Sequence, residues 1–172
     1  IAVEHICFDS REVGQYSAFV AIRGTQTDGH NYIAQAIAQG AIAIIVEEFP
    51  AETPESVTLV RVKNTHRALA IMADNFYDHP SGDINMVGIT GTNGKTSTVT
   101  MLFELFKNMD YKCGMISTVV NRIHNTDIPA THTTPDPISL NKLLRQIVDE
   151  DCTHCFMEVS SHGIHQKRTE GL

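Results

Sequence analysis

Residues 84–97, INMVGITGTNGKTS, decide the fold of this chain. The first seven are mostly apolar and predict a strand, whereas residues 95–108 have the apolar spacing of a helix. Between them lies a glycine-rich loop. Strand, loop and helix in this order are the context in which backbone N–H groups cradle phosphate, because glycines let the chain curl around one anion. We therefore predict a loop that binds ATP or GTP.

The loop assigns a chemical role to two side chains. Lys95 is expected to reach the β- and γ-phosphates, and the Thr96 hydroxyl is expected to bind Mg2+. The general pattern places a glycine five positions before the Gly-Lys pair, but Ile89 stands there and Gly88 comes one residue early. The alternative interpretation is a glycine-rich turn that carries a lysine by chance.

Strands and helices alternate along the rest of the chain. In the first half we predict strands at 41–47 and 57–62, with helices that begin after Asn31 and Asn64. In the second half we predict three strands, at 84–90, 112–117 and 155–159. They are separated by helix 95–108, an irregular connection at 121–134 and a helix that starts at Pro137. Alternation of this kind indicates parallel strand pairing.

The overall prediction is an α/β fold in two parts. A small N-terminal α/β domain occupies residues 1–82, and a P-loop-type parallel-sheet domain begins at residue 83 and runs to 172. The boundary is placed at Pro80-Ser81-Gly82, the strongest turn sequence between two apolar patterns. The chain stops just after a new helix begins, so we expect it to be a piece of a longer enzyme.

Composition excludes several classes of function. Of 172 residues, 42% are hydrophobic and 19% charged, which is ordinary for a globular protein and argues against disorder. The net charge is −7, so the basic surface typical of a nucleic-acid-binding protein is not expected. Apolar runs are too short for membrane insertion and no secretory signal opens the chain, so we expect a cytoplasmic location. Cys152 and Cys155 are interpreted as small residues at a strand entrance.

Further polar residues lie where the predicted sheet would bind a ligand. Glu158 ends the last predicted strand, and ligands of open α/β sheets bind beside such ends. Its carboxylate is a suitable Mg2+ ligand. Ser160 either binds substrate or caps the next helix, and the hydroxyls of Thr133 and Thr134 leave the same two possibilities open. Arg168 is either a phosphate or carboxylate ligand or a surface charge.

Together these motifs resemble the Mur ligases. The resemblance rests on five segments spread over nearly the whole chain: Asp9-Ser10-Arg11, Phe19-Val20-Ala21-Ile22-Arg23-Gly24 with Asp28-Gly29-His30, Thr90-Gly91-Thr92-Asn93-Gly94-Lys95-Thr96, Thr133-Thr134-Pro135 and Glu158-Val159-Ser160-Ser161-His162. The loop is the variant typical of this family, which explains the displaced Gly88, and it also fits folylpolyglutamate synthases. The first and last segments favour the MurE type, which adds the third amino acid of the peptidoglycan stem peptide.

The resemblance implies a UDP-binding domain at 1–82, a truncated ATPase domain at 83–172 and a C-terminal domain that is absent. It implies the following sites: ATP at Gly91, Thr92, Asn93, Gly94, Lys95, Thr96 and Ser97; Mg2+ at Thr96 and Glu158; the UDP-sugar end at Phe8, Ser10, Thr25, Gln26 and Thr27; and the muramoyl peptide at Thr133, Thr134, Ser160, Gln166 and Arg168. Lys95 and Glu158 would be catalytic.

The substrates implied are ATP, UDP-N-acetylmuramoyl dipeptide and a free amino acid, either diaminopimelate or lysine. The family's carbamylated lysine, a metal-binding histidine and the amino-acid recognition motif would all lie after Leu172. We therefore expect this chain by itself to bind poorly and not to catalyse. Two alternatives remain open: another ligase or kinase with the same loop, and a non-catalytic nucleotide-binding module.

Overall fold

The computed structural model describes residues 2–24, 27–52 and 56–172. The chain divides into two compact units, Ile1–Met72 and Ala73–Leu172. This division falls inside a helix, and the domain boundary at residue 82 stays a prediction. Among the helices in the described ranges, none combines the length and the hydrophobicity that crossing a lipid bilayer requires.

The first unit is built on a parallel sheet. Its four described strands are β1 (His5–Cys7), β2 (Ser17–Val20), β3 (Ala41–Val46) and β4 (Thr58–Arg61), in that spatial order. Each neighbouring pair is parallel, as alternation of strands and helices predicts. Helix α1 (Ile33–Ala38) connects β2 to β3, and α2 (Thr65–Phe76) follows β4. The core is formed by residues from three strands and α1: Cys7, Phe19, Ala21, Ile33, Ala36, Ala41, Ile44 and Val46.

The caps of these two helices differ in how well the sequence predicted them. Asn64 caps α2 as expected, because its side-chain oxygen accepts a hydrogen bond from Arg67 N at 2.7 Å. The predicted cap at Asn31 is wrong. Asp28 instead caps a 3-10 turn, Gly29–Tyr32, and α1 begins only after that turn. The Asp28 carboxylate, followed directly by glycine, starts the turn earlier than the asparagine could.

The second unit has a mixed sheet in the order β5-β9-β6-β7-β8. The strands are β5 (Asn85–Ile89), β6 (Cys113–Ile116), β7 (Val120–Ile123), β8 (Thr126–Pro129) and β9 (His154–Glu158). The first three strands in the order are parallel, whereas β6, β7 and β8 pair antiparallel. Helices α3 (Lys95–Asn108), α4 (Pro137–Asp149) and α5 (Ser161–His165) complete the unit.

The three strands predicted in the second half are all present, as β5, β6 and β9, but the prediction of an irregular connection at 121–134 is wrong. Strands β7 and β8 form a hairpin there, joined by a two-residue turn in which His124 has a φ of 51°. Pro129 ends β8 at the edge of the sheet, where a missing N–H donor breaks no ladder bond. Burial alternates along β7, with Asn121 and Ile123 inside, but the sequence does not show this alternation because Asn121 is polar.

Helices pack on both faces of β6 and β9. Phe103 of α3 packs on one face with Met115 and Phe156, and α4 packs on the other through Leu144 and Ile147. Successive residues of β9 alternate between the two clusters, as expected of a strand buried on both sides. Cys155 belongs to the α4 side, and burial raises its pKa, so this thiol is a core residue.

Helix α4 approaches β6 so closely that position 114 must be glycine. A Cβ placed on Gly114 would lie 2.5 Å from Ile147 Cδ1 and 2.9 Å from both Cγ atoms. Since Ile147 is fully buried, it cannot rotate away without displacing its neighbours. The absence of a side chain at Gly114 therefore fixes the distance between helix and sheet.

We predict that Gly114→Ala lowers the free energy of unfolding by about 1–3 kcal/mol, because overpacking forces α4 outward. Urea denaturation followed by circular dichroism measures this loss. The matched control is Gly82→Ala, since a Cβ at Gly82 would meet nothing within 4 Å. Equal stability of the two variants would contradict the packing described here.

Candidate functional site

The glycine loop connects β5 to α3 and relies on two glycines for its shape. Gly91 has a φ of 144° and Gly94 a φ of 79°, both in the region that side chains rarely adopt. A Cβ on Gly94 would meet nothing within 4 Å, so backbone conformation and not crowding requires glycine there. Gly94 is also the N-cap of α3 and supplies no side-chain acceptor. The first N–H groups of α3 are thus donors suited to an anion.

The side chain of Lys95 lies against the same loop. Its Nζ donates a hydrogen bond to the carbonyl oxygen of Gly91 at 2.7 Å. The ammonium group is therefore held beside the first residue of the loop, next to the start of α3. A cation and a helix N-terminus together form an electropositive site for phosphate. The geometry suits the predicted role of Lys95, which stays a prediction.

Glu158 is a charged side chain at the carboxyl end of the sheet, and only 1% of it is exposed. It pairs with Ile89 in the β-ladder, the position just before the loop begins. Glu158 Oε1 accepts hydrogen bonds from Thr96 Oγ1 at 2.9 Å and from Thr118 N at 2.8 Å, and Oε2 accepts one from Thr118 Oγ1 at 3.1 Å. These donors compensate the carboxylate for its lost hydration.

The contact between Thr96 and Glu158 brings together two oxygen groups that could bind Mg2+. Magnesium prefers hard oxygen ligands and binds proteins through one or two of them, with water and substrate phosphates completing its shell. A hydroxyl and a carboxylate in direct contact beside a phosphate loop provide such a pair. The residues present therefore fit magnesium brought by a nucleotide. Within the described ranges, no three His, Cys, Asp or Glu side chains are grouped to hold a metal.

The second group of predicted residues surrounds Thr134, which is buried beside the end of β9. Thr134 Oγ1 donates to the carbonyl oxygen of Glu158 at 3.1 Å and accepts from Ser160 N at 3.0 Å. Arg168 donates to the carbonyl oxygen of Thr134 and, through two nitrogens, to Gln166 Oε1 at 2.9 and 2.7 Å. The structure thus brings Thr134, Ser160, Gln166 and Arg168 together.

Of the two alternatives for Ser160, the structure shows helix capping. Its hydroxyl accepts a hydrogen bond from Gly163 N at 3.0 Å and so caps α5. Helix α5 also requires glycine at position 163, because a Cβ there would lie 2.9 Å from Thr134 Cβ and Cγ2. Thr134 does not cap α4, whose N-cap is Asp136. The threonine is therefore free of the structural role that the sequence left open.

Thr118 is the residue that sequence reasoning missed. It follows β6, and its hydroxyl lies 3.1 Å both from Glu158 Oε2 and from Thr133 Oγ1. Strand β9 lies between β5 and β6, so residues after all three parallel strands meet at one edge of the sheet. The sequence shows that Thr118 follows an apolar strand, but its contact with Glu158 depends on the strand order.

Three of the predicted UDP-sugar residues, Phe8, Ser10 and Thr27, lie in loops and turns that follow strands of the first unit. Phe8 follows β1, and Ser10 begins a 3-10 turn that Asp9 caps. Ser10 is buried, and its hydroxyl lies 3.4 Å from Gln35 Oε1. Thr27 is exposed, and its carbonyl oxygen accepts a hydrogen bond from Gly24 N. Thr25 and Gln26 lie outside the described residues.

A polar network that the sequence did not predict surrounds the 3-10 turn Gly29–Tyr32. His30 Nδ1 lies 2.7 Å from Asp28 Oδ1, while His30 Nε2 accepts a hydrogen bond from Glu47 N. The ring is therefore the neutral tautomer that carries its proton on Nδ1. Burial opposes ionisation of Asp28, but hydrogen bonds from His30 outweigh it and lower the pKa of that carboxyl group. The network connects this turn to Glu47, which follows β3 directly.

Two family models match the chain. The model of the Mur ligase family catalytic domain matches residues 2–77, and that of the Mur ligase middle domain matches residues 89–172. The chain belongs to the Mur ligase family. Within this family, the loop, Lys95 and Glu158 lie in the part that the middle-domain model matches, whereas Phe8, Ser10 and Thr27 lie in the other part.

Similar proteins include several curated ligases. The chain is 53% identical to UDP-N-acetylmuramoyl-L-alanyl-D-glutamate--2,6-diaminopimelate ligase of Cytophaga hutchinsonii, over 100% of this chain and 36% of that protein. It is 41% identical to the Bacillus licheniformis protein of the same name, over 98% of this chain and 34% of that protein. The chain therefore spans about a third of the length of these relatives.

Solved structures support the fold. A structure of a UDP-N-acetylmuramoyl-L-alanyl-D-glutamate--2,6-diaminopimelate ligase superposes with a TM-score of 0.81 and 24% identity, over 99% of this chain and 34% of that one. MurF ligase from Thermotoga maritima, solved in complex with ADP, superposes with a TM-score of 0.58 and 26% identity, over 91% of this chain and 32% of that one. The α/β fold predicted from the sequence is confirmed.

We predict that Thr134→Val lowers the free energy of unfolding by about 1–3 kcal/mol, because it leaves Ser160 N and the Glu158 carbonyl without a partner. Thr134→Ser keeps the hydroxyl and should lose less. Thr126→Val removes a hydroxyl from an exposed residue and serves as the control. Urea denaturation measures all three variants. A Thr134→Val protein as stable as the Thr126→Val control would count against the network.

Proposed function

We propose that this chain is the nucleotide- and substrate-binding part of an ATP-dependent ligase. The ligase would add the third amino acid to UDP-N-acetylmuramoyl-L-alanyl-D-glutamate in peptidoglycan synthesis. The single observation that carries the proposal is the contact between Thr96 and the buried Glu158 beside the glycine loop. The names of its relatives support the choice of substrate. Since the chain spans a third of those relatives, the activity is proposed for the whole protein.

The loop from Gly91 to Ser97 would bind the phosphates of ATP. Its backbone N–H groups and the N-terminus of α3 would donate hydrogen bonds to phosphate oxygens. Lys95 Nζ, which donates to the Gly91 carbonyl oxygen in the structure, would donate to a phosphate oxygen instead. An ammonium group forms a stronger hydrogen bond with a charged phosphate oxygen than with a neutral carbonyl oxygen. The structure of a MurF ligase with ADP supports a nucleotide in a related fold.

Thr96 and Glu158 would hold Mg2+ through their oxygens. When bound, the ion would neutralise charge on the phosphate oxygens during phosphoryl transfer. Thr96 already donates its proton to Glu158 Oε1, so the lone pairs of its oxygen remain available to a cation. The hydrogen bonds from Thr118 leave the Glu158 carboxylate fixed in position.

Two groups of residues are assigned to the second substrate, the UDP-sugar dipeptide. Phe8, Ser10, Thr25, Gln26 and Thr27 would contact its UDP end, by motif resemblance. Thr133, Thr134, Ser160, Gln166 and Arg168 would contact its muramoyl-peptide part. The Arg168 guanidinium is oriented by Gln166 and the Thr134 carbonyl, which suits it to hold an anionic group such as a carboxylate.

The reaction must make a carboxylate electrophilic. The D-glutamate γ-carboxylate would attack the terminal phosphorus of ATP and form an acyl phosphate with release of ADP. The amine of the incoming amino acid would then attack the carbonyl carbon, and phosphate would leave. Both steps place negative charge on oxygen, which the Lys95 ammonium is positioned to stabilise. A nucleotide-activated cytoplasmic substrate also suits an enzyme of the cytoplasm.

The amino acid added is proposed to be 2,6-diaminopimelate. The motifs of this chain leave diaminopimelate and lysine open, but both relatives described above are named as 2,6-diaminopimelate ligases. Parallel assays of the complete protein with the two amino acids distinguish them. Ligation of lysine with diaminopimelate inactive would contradict this choice while leaving the reaction class intact.

We predict that Lys95→Ala in the complete protein lowers the rate of ADP release by several orders of magnitude, because the transition state loses its cation. The assay contains ATP, Mg2+, UDP-N-acetylmuramoyl dipeptide and diaminopimelate. Lys142→Ala, at an exposed position of α4, is the matched control and should keep the normal rate. Near-normal turnover of Lys95→Ala would refute the proposed role. ATP hydrolysis that ignores the dipeptide substrate would favour a different ligase or kinase.

We predict that Ser10→Ala and Arg168→Ala raise the KM for the UDP-sugar substrate more than the KM for ATP. Each side chain is assigned to that substrate and neither contacts the glycine loop among the hydrogen bonds described. Steady-state kinetics with each substrate varied in turn provides both constants. Ser139→Ala, on the exposed face of α4, is the control. Equal losses for both substrates would contradict the assignment.

A further inference from the structure

We infer that Thr118 is a positioning residue that fixes Glu158 for the metal and connects it to Thr133. The inference rests on the proposed function, because it assigns Glu158 to Mg2+ and Thr133 to the peptide substrate. Thr118 itself belongs to neither predicted site. Its importance follows from its contacts, since both its backbone N–H and its hydroxyl reach the same carboxylate.

The contacts of Thr118 hold both oxygens of Glu158. Its N–H donates to Oε1 at 2.8 Å, and its hydroxyl lies 3.1 Å from Oε2. Oε1 also accepts from Thr96 Oγ1 at 2.9 Å. A carboxylate held at both oxygens has no freedom to rotate about its terminal bond. Thr118 therefore determines which lone pairs of Glu158 face Thr96.

The single hydroxyl proton of Thr118 determines the direction of the hydrogen bonds among Thr133, Thr118 and Glu158. The Thr118 hydroxyl lies 3.1 Å from Glu158 Oε2 and 3.1 Å from Thr133 Oγ1, but it has a single proton to donate. An ionised carboxylate can only accept, so Thr118 donates to Glu158. Thr133 must then donate its own proton to Thr118. The hydrogen bonds therefore run from Thr133 through Thr118 to Glu158.

This direction has a consequence for the substrate. With its proton committed to Thr118, the Thr133 oxygen can offer only lone pairs to a bound molecule. It would accept a hydrogen bond from an N–H or O–H group of the peptide or sugar and would disfavour a carboxylate oxygen. A substrate donor at Thr133 would also polarise the Thr118 hydroxyl toward Glu158, which couples the peptide to the metal.

Thr118→Val tests the hydroxyl alone, because valine has nearly the same shape and keeps the backbone N–H. Mn2+ is used as a paramagnetic probe, titrated into the full-length protein with ADP and followed by electron paramagnetic resonance. Loss of an outer hydrogen bond to a metal ligand weakens metal affinity about 10–100-fold, and we expect Thr118→Val to fall in this range. Thr118→Ser keeps the hydroxyl and should match the wild type.

The outcomes separate this inference from the proposed function. Wild-type Mn2+ affinity in Thr118→Val would overturn the role of Thr118 and leave the proposed metal site intact. An equal loss in Thr118→Ser would also overturn it, since the methyl group would then be responsible. Failure of the wild-type protein to bind Mn2+ with ADP would instead reject the proposed function and the inference together.

The link to Thr133 is tested by a double-mutant cycle on the same measurement. Thr133→Val should weaken Mn2+ binding when Thr118 is present. It should have little further effect in Thr118→Val, because the hydrogen bonds that connect Thr133 to Glu158 are already lost. Thermal unfolding of all variants confirms that they are folded. Independent, additive losses from the two substitutions would contradict the connection through Thr118.

Discussion

The carboxylate of Glu158 is a negative charge inside the protein, and a buried charge requires partners. Its partners come from two segments far apart in the sequence: Thr96 at the start of α3, and Thr118 after β6. Neither segment could reach Glu158 unless β9 lay between β5 and β6, as it does. The need to pair one carboxylate thus links the strand order to the geometry of the site.

The same arrangement suits the chemistry proposed for the chain. The ladder pairs Ile89 with Glu158, so the glycine loop and the carboxylate leave the sheet side by side. Thr134 continues the site by bonding the Glu158 main chain, and Arg168 in turn bonds Thr134 and Gln166. Candidate phosphate-binding groups and candidate substrate-binding groups are therefore connected through hydrogen bonds to Glu158. A ligase that transfers phosphate to a carboxylate needs such adjacency.

Sequence patterns were sufficient where one segment determines its own structure. Helix α3 has the predicted bounds because the glycines before Lys95 prevent an earlier start and the apolar spacing continues to its end. The hairpin of β7 and β8 was missed because its strands are short and its turn lacks an Asn-Gly or Asp-Gly pair. Thr118 was missed for another reason. Its role comes from the order of strands in the sheet, which local pattern does not reveal.

Thr96 and Glu158 are proposed to form the metal-binding side of the nucleotide loop. This assignment can be tested with crystals of the protein grown with ADP and Mn2+ and measured at the manganese absorption edge. We expect one anomalous peak within bonding distance of the Thr96 hydroxyl and beside the Glu158 carboxylate, with phosphate on the N–H groups of the loop. Nucleotide bound in the loop with manganese absent from these two oxygens would contradict it.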